Sequence, residues 1–157
     1  MQNLHELYWQ ETGKDLRHEK DPSPEEERFI CEYVKLNWQS EAVFITEFPA
    51  SDMKFYHYKN EQNSTVCDRA DLIFRGVEIA TLTRREHRFE KLIGQMHEFG
   101  LNPEAVGYQA YLMAFRHGLP PHGGFGMGLE RLTQKLIGLG SVKEATLFPR
   151  DARRLGP

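Results

Sequence analysis

Residues 122–131, His-Gly-Gly-Phe-Gly-Met-Gly-Leu-Glu-Arg, place glycine at every second position from Gly124 to Gly128 and end on an arginine that opens an apolar helix. Alternate residues of a strand share a face. Gly124, Gly126 and Gly128 therefore leave one surface bare, while Phe125, Met127 and Leu129 are expected to anchor the other in a core. Glycine inside a strand often marks close approach by a ligand or by backbone. A flat surface of this kind suits a nucleotide, and Arg131 in the first turn of the next helix can hold a phosphate together with the free N–H groups there. The same residues also read as a glycine-rich hairpin carrying a surface arginine.

A chain of 157 residues has the size of one domain with a sizeable core. Residues 1–157 are expected to form a single domain, with 1–21 as an N-terminal extension. A net charge of -3 and a pI near 6.2 give no general basic field, so a broad nucleic-acid footprint is not written into the composition and any RNA contact is expected to be local. Cys31 and Cys67 are too few for a disulfide framework and lack zinc-like spacing, so they read as reduced thiols in the cytoplasm. No apolar run reaches the length of a membrane span, and Met-Gln-Asn-Leu-His-Glu lacks the charged and apolar regions of a signal peptide.

Ser23-Pro24-Glu25-Glu26 carries an N-cap, a proline suited to the first helical position and a capping-box glutamate, predicting a helix with Phe29, Ile30, Tyr33 and Val34 on its buried stripe. Ala42–Phe48 and Met53–Tyr58 read as strands, Lys59–Thr65 as a loop and Asp71–Thr83 as one central strand. From His87 the period becomes helical, with Phe89, Leu92, Ile93 and Met96 on one face and Gly100 as the stop. Asn102-Pro103 is expected to open a second helix, which Gly118-Leu119-Pro120-Pro121 ends. This order of elements makes the chain α+β rather than alternating α/β.

Within the run from Asp71, the stretch Phe74-Arg75-Gly76-Val77-Glu78-Ile79 sets a glycine and a carboxylate among apolar residues, and a buried charge needs a partner. Glu78 can hold a hard cation such as Mg²⁺ against phosphates. Equally, it can be an edge residue paired with Arg75 or Arg84.

Three segments together resemble the class II aminoacyl-tRNA synthetases of the aspartyl and asparaginyl type. Gly124–Leu132, followed by Lys135–Leu139 and Ala145–Asp151, resembles motif 3 of that family. Arg75-Gly76-Val77-Glu78-Ile79 with Arg85-Glu86-His87 resembles its metal-binding strand. Phe44–Pro49 with Lys54-Phe55-Tyr56 is similar to the strand pair before it. The resemblance implies a partial class II synthetase-type antiparallel sheet flanked by helices. It further implies ATP on Gly124, Gly126 and Gly128 with Arg131 and His122, Mg²⁺ on Glu78 and Thr81, and the carboxylate of aspartate or asparagine on Arg85. Arg131 is then the catalytic cation of an adenylate-forming ligase. His122 also reads as a polar loop residue, and His57 as structural.

The sequence departs from the family pattern in two ways. Ala80-Thr81-Leu82 stands where the family has a small-residue turn ending in glycine; Leu82 is expected to resist a positive φ and to fill space. Motifs 1 and 2, with the arginine that binds the α-phosphate, have no counterpart. Adenylate formation is therefore expected only with a partner chain, the alternative being a non-catalytic paralogue that binds nucleotide or regulates. An exposed sheet edge predicts a homo-oligomer or a second protein chain, unless an N-terminal helix around Leu4, Leu7, Tyr8 and Trp9 covers it. Two small basic clusters, Arg84 with Arg85 and Arg88, and Arg150 with Arg153 and Arg154, read as solvated surface, and no tRNA contact is expected from them.

Overall fold

The structure, a computed structural model, describes residues 1–150, so Arg153 and Arg154 lie outside the described residues. Helix α1 (Gln2–Thr12) is followed by α2 (Pro24–Trp38), whose start is the capping box predicted above. The Ser23 hydroxyl accepts from the Glu26 N–H, and the Glu26 carboxylate accepts the Ser23 N–H at 2.8 Å. These two bonds satisfy donors that the first helical turn would otherwise leave open.

Strands β1 (Ala42–Pro49), β2 (Val66–Phe74), β3 (Val77–Arg85) and β4 (His122–Met127) form one antiparallel sheet in that order, and α3 (Phe89–Glu98) and α4 (Val106–Arg116) lie between β3 and β4 in the chain. Helix α5 (Leu129–Ile137) follows β4 directly. The α+β reading holds.

Several local expectations are corrected. The run 71–83 is not one strand: Arg75 (φ 46°) and Gly76 (φ 77°) are both left-handed and turn the chain back, so β2 and β3 are a hairpin. Two consecutive positive φ values make the tight turn whose twist matches the flanking strands. Met53–Tyr58 is not a strand either. A 3-10 turn at Ala50–Asp52 precedes it, and an isolated bridge from His57 to Arg85 falls within it, with a second from Lys59 to Cys67 just beyond. The Asn102 side chain accepts the Glu104 N–H and forms a turn, so α4 starts only at Val106. Gly100 (φ 68°) and Gly118 (φ 85°) follow the ends of α3 and α4, as their placement in the sequence predicts.

The expected anchoring of Phe125, Met127 and Leu129 does not occur: they are 67%, 46% and 67% exposed. No residue of β4 or α5 is buried. Strand β4 stands at the end of the sheet order, with β3 its only neighbour among the described residues.

The chain divides into two compact units. The first holds Met1, Thr46–Ala70 and Leu82–Phe125. Its core is Leu92 and Met96 of α3 against Leu112 and Phe115 of α4, walled by Phe55, Tyr56, Tyr108 and Tyr111. The buried Gln95 amide donates to the carbonyls of Phe55 (2.5 Å) and His57 (3.0 Å), which pins the non-strand segment to α3.

The second unit holds Gln2–Ile45, Asp71–Thr81 and the residues from Gly126 onward. Here α1 packs on α2, rather than over an open sheet surface. His5 Nδ1 lies 2.5 Å from Glu26 Oε1, with the two side chains 3% and 0% exposed, and Tyr8 meets Phe29 edge-on at 5.2 Å.

Candidate functional site

The three alternating glycines are not there for unusual backbone: none has a positive φ. Space accounts for Gly124. A Cβ on Gly124 would lie 3.1 Å from Nε of Arg85, and one on Gly128 would meet the Arg131 stem at 3.4 Å, whereas one on Gly126 would meet nothing within 4 Å. Gly124 thus admits Arg85 in the first unit, and in the second Gly128 lies beside Arg131 while Gly126 stays open. The predicted residues fall into one group in each unit.

In the second unit, Glu78 is held at every polar atom of its backbone. Its N–H donates to the Glu27 carboxylate at 3.1 Å, and its carbonyl accepts from Arg131 NH1 at 2.9 Å. The Thr81 hydroxyl donates to Glu78 Oε1 at 2.7 Å, while Arg131 NH1 stands 4.0 Å from Oε2. Residues three apart in a strand normally face opposite ways. Here Ile79 and Ala80 are both buried, a break in the alternation of the kind a bulge produces, and Glu78 and Thr81 meet. The Gly128 N–H donates to the Ile79 carbonyl at 2.9 Å, which fixes the start of α5, and so Arg131, against this point.

Neither arginine suggested as a structural partner of Glu78 takes that place. Arg75 binds Glu41, and Arg84 binds Asp68. What the sequence reading missed is Glu27. Burial, and then the charges of Glu78 and Asp71, push its carboxyl up, against the opposing pull of the Glu78 N–H and Arg131. Glutamates in a helix's first turn suit its dipole, so beyond the capping-box Glu26 nothing in the sequence singled out Glu27. Asp71, 3% exposed, was also passed over within its apolar strand.

In the first unit, the Arg85 guanidinium lies against Gly124 and 5.1 Å from the Tyr56 ring. The Tyr111 hydroxyl is buried beside Arg85, and burial raises its pKa while the nearby Arg85 charge lowers it. His122 pairs through Nδ1 with the Pro120 carbonyl at 3.0 Å, and its ring lies 5.9 Å from Phe115. A cavity of about 1090 Å³ is lined by Asp68, Leu82, Thr83, Arg84, His122 and Gly124, among others. Leu82 sits in β3 without a positive φ, so the expected backbone conflict does not arise; its side chain lines the cavity. His57 is buried, accepts the Lys54 N–H through Nδ1, and is pushed down to about 4 by burial and by the charges of Arg69, Lys54 and Arg85.

The donor set of the second unit suits Mg²⁺. Among the described residues, no group of three or more His, Cys, Asp or Glu forms a protein cage. Mg²⁺ at phosphate sites does not need one, since it takes one or two carboxylates and completes its shell with water and phosphate oxygens. Glu78, 32% exposed and already oriented by Thr81, offers that kind of ligand.

Comparison with known proteins identifies the family. The family described as "tRNA synthetases class II (D, K and N)" matches residues 2–152. The aspartate-tRNA(Asp) ligase of Pyrococcus furiosus is 41% identical over 147 residues, covering 94% of this chain and 33% of the relative. The aspartate-tRNA(Asp/Asn) ligase of Thermus thermophilus is 46% identical over 138 residues, covering 88% and 32%. Among solved structures, the aspartyl-tRNA synthetase of Entamoeba histolytica superposes with a TM-score of 0.86 at 29% identity, covering 99% of this chain and 32% of its own. The asparaginyl-tRNA synthetase of Pyrococcus horikoshii gives a TM-score of 0.84 at 29% identity, covering 99% and 35%. The chain belongs to the class II tRNA synthetase family that the D, K and N enzymes form. It spans about a third of the length of the curated relatives it matches.

Proposed function

We propose that this chain binds ATP with Mg²⁺ and aspartate or asparagine, and supports adenylate formation when joined to the parts of the synthetase fold that it does not contain. The observation that carries this reading is the arrangement of Glu78, Thr81 and Arg131 in the second unit, beside the open position at Gly126. In such a reaction a substrate carboxylate attacks the α-phosphate and pyrophosphate leaves, and charge grows on the phosphate oxygens. Glu78 and Thr81 would hold the Mg²⁺, which supplies charge neutralisation. Arg131 would release the Glu78 carbonyl and grip the leaving phosphates, and the open position at Gly126 would leave room for the base.

Arg85 in the first unit is proposed to bind the amino-acid carboxylate, its guanidinium set in place by Gly124 and Tyr56. His122 is proposed as a nucleotide contact, since it lines the cavity with Gly124. A solved relative contains asparaginyl-adenylate. The partner is a second protein chain or another copy of this one, because β4 and α5 bury none of their residues. The cytoplasm suits two free thiols; among the described residues no helix is long and apolar enough to cross a membrane.

The test is ATP–pyrophosphate exchange with aspartate and with asparagine, for the chain alone and with a complementary synthetase fragment, alongside calorimetry with ATP and Mg²⁺. Exchange only in the presence of the complement is the expected result. Nucleotide binding without exchange in either case would favour a non-catalytic paralogue, and no binding at all would defeat both readings.

A further inference from the structure

A second concentration of positive charge lies in the second unit and uses none of the residues assigned above. A cavity of about 350 Å³ is lined by Arg28 and Lys35 of α2, Arg75 of the β2–β3 turn and Lys135 of α5, with Glu32 and Glu41 as its carboxylates among the described residues. Four cations against two acids leave two positive charges over, in a chain whose net charge is -3.

The acids do not cancel this excess evenly. Glu41 receives Arg75 through NH2 at 2.6 Å and Nε at 3.0 Å, and Lys35 stands 3.6 Å away. Arg75 NH1 also donates to the Lys135 carbonyl at 2.8 Å, so this guanidinium is fixed while keeping N–H groups to spare. Arg28 and Lys135 make no ion pair among the described residues. The Arg28 stem is wedged by the turn: a Cβ on Gly76 would meet Arg28 Cγ at 3.0 Å and its Cα at 3.2 Å. The Cys31 sulfur, which lines the same cavity, accepts the Gly76 N–H and is kept a neutral thiol by burial, so it adds no negative charge.

We infer that this cavity is a binding site for a phosphate group, recognised by Arg28, Arg75 and Lys135. Donors converging from a helix, a turn and a second helix suit a tetrahedral oxyanion with several acceptor oxygens. A single carboxylate would satisfy one guanidinium and leave the rest unpaired. The phosphate is carried either by a small anion or by an RNA backbone, and the two sources differ in a measurable way: backbone binding falls steeply with salt.

The experiment titrates the whole chain with inorganic phosphate, and separately with a short RNA duplex, following the amide signals of Arg75 and Gly76 by NMR so that the reading is local to this cavity. Saturable shifts at those amides are expected with one or both probes. RNA alone would assign the site to a nucleic-acid backbone, and phosphate alone to a small anion. Arg28→Gln with Lys135→Gln should weaken the effect about tenfold, as the loss of charge-assisted bonds predicts. Glu32→Gln, which removes a rim carboxylate and no cation, should tighten it about threefold. If the double variant does not fold, Glu32→Gln decides by itself. No saturable shift at Arg75 and Gly76 with either probe, or shifts that neither set of substitutions moves, would overturn the inference.

Discussion

Arg131 spends its guanidinium on the carbonyl of the residue whose carboxylate it also approaches, so one side chain couples the α5 terminus to the acid on β3. Arg131→Ala should weaken ATP binding in the presence of Mg²⁺ at least about tenfold, the scale of a lost charge-assisted hydrogen bond, as calorimetry would show; unchanged affinity would remove Arg131 from the proposed site. His57 supplies a pH prediction. Its folded-state value of about 4 lies below the ordinary 6.5, so the fold favours neutral imidazole. That stability is present above pH 6.5 and is lost as pH falls toward 4, roughly 3 kcal/mol in all by linkage. Melting temperatures across this window should drop for the parent chain and flatten for His57→Asn. At this scale the sequence was legible where a residue type has few uses. Gly124, Gly126 and Gly128 announced a surface without side chains, and Glu78 with Thr81 came from the family pattern. Glu27 was not legible, since its role depends on α2 arriving beside β3.

Among the elements, α2 shows how a local signal becomes a tertiary one. Glu26 completes the capping box and also lies under His5 of α1, with no exposed surface. Ser23→Ala removes one cap and should cost about 1 kcal/mol. Glu26→Ala strips the partner from a buried histidine as well and should cost about 3 kcal/mol or more. Urea unfolding would measure both; equal losses would mean that the His5 contact adds nothing. The capping box was readable in Ser23-Pro24-Glu25-Glu26, because it depends on residues within one turn. The β2–β3 hairpin was not, because Arg75-Gly76 sits inside a run whose apolar residues are equally compatible with one long strand. Only the pairing of β2 with β3 reveals the turn.

For the whole molecule, the informative surface is the one that finds no cover. Leu129 (67%), Leu136 (56%) and Ile137 (67%) recur at helical spacing along α5 and are all exposed, and Leu147 beyond it is 89% exposed. Exposed apolar stripes of this kind mark interaction surfaces. The chain should therefore associate with itself or with a complementary synthetase fragment at micromolar concentration. Light scattering should show a mass above that of the monomer, and Leu136→Glu with Ile137→Glu should reduce it without lowering the melting temperature. A monomer at high concentration would contradict this.

The sequence alone determined the family, the capped start of α2, the ends of α3 and α4, and the glycine surface, because each is written in residues close together in the chain. The tertiary structure decided the rest. Glu78 is gripped by Glu27 and Arg131, residues 51 and 53 positions away. Phe125 and Met127 are exposed although their alternation suits a buried face. Periodicity says which residues share a face. Whether anything packs against that face depends on which elements meet, and no local pattern records that.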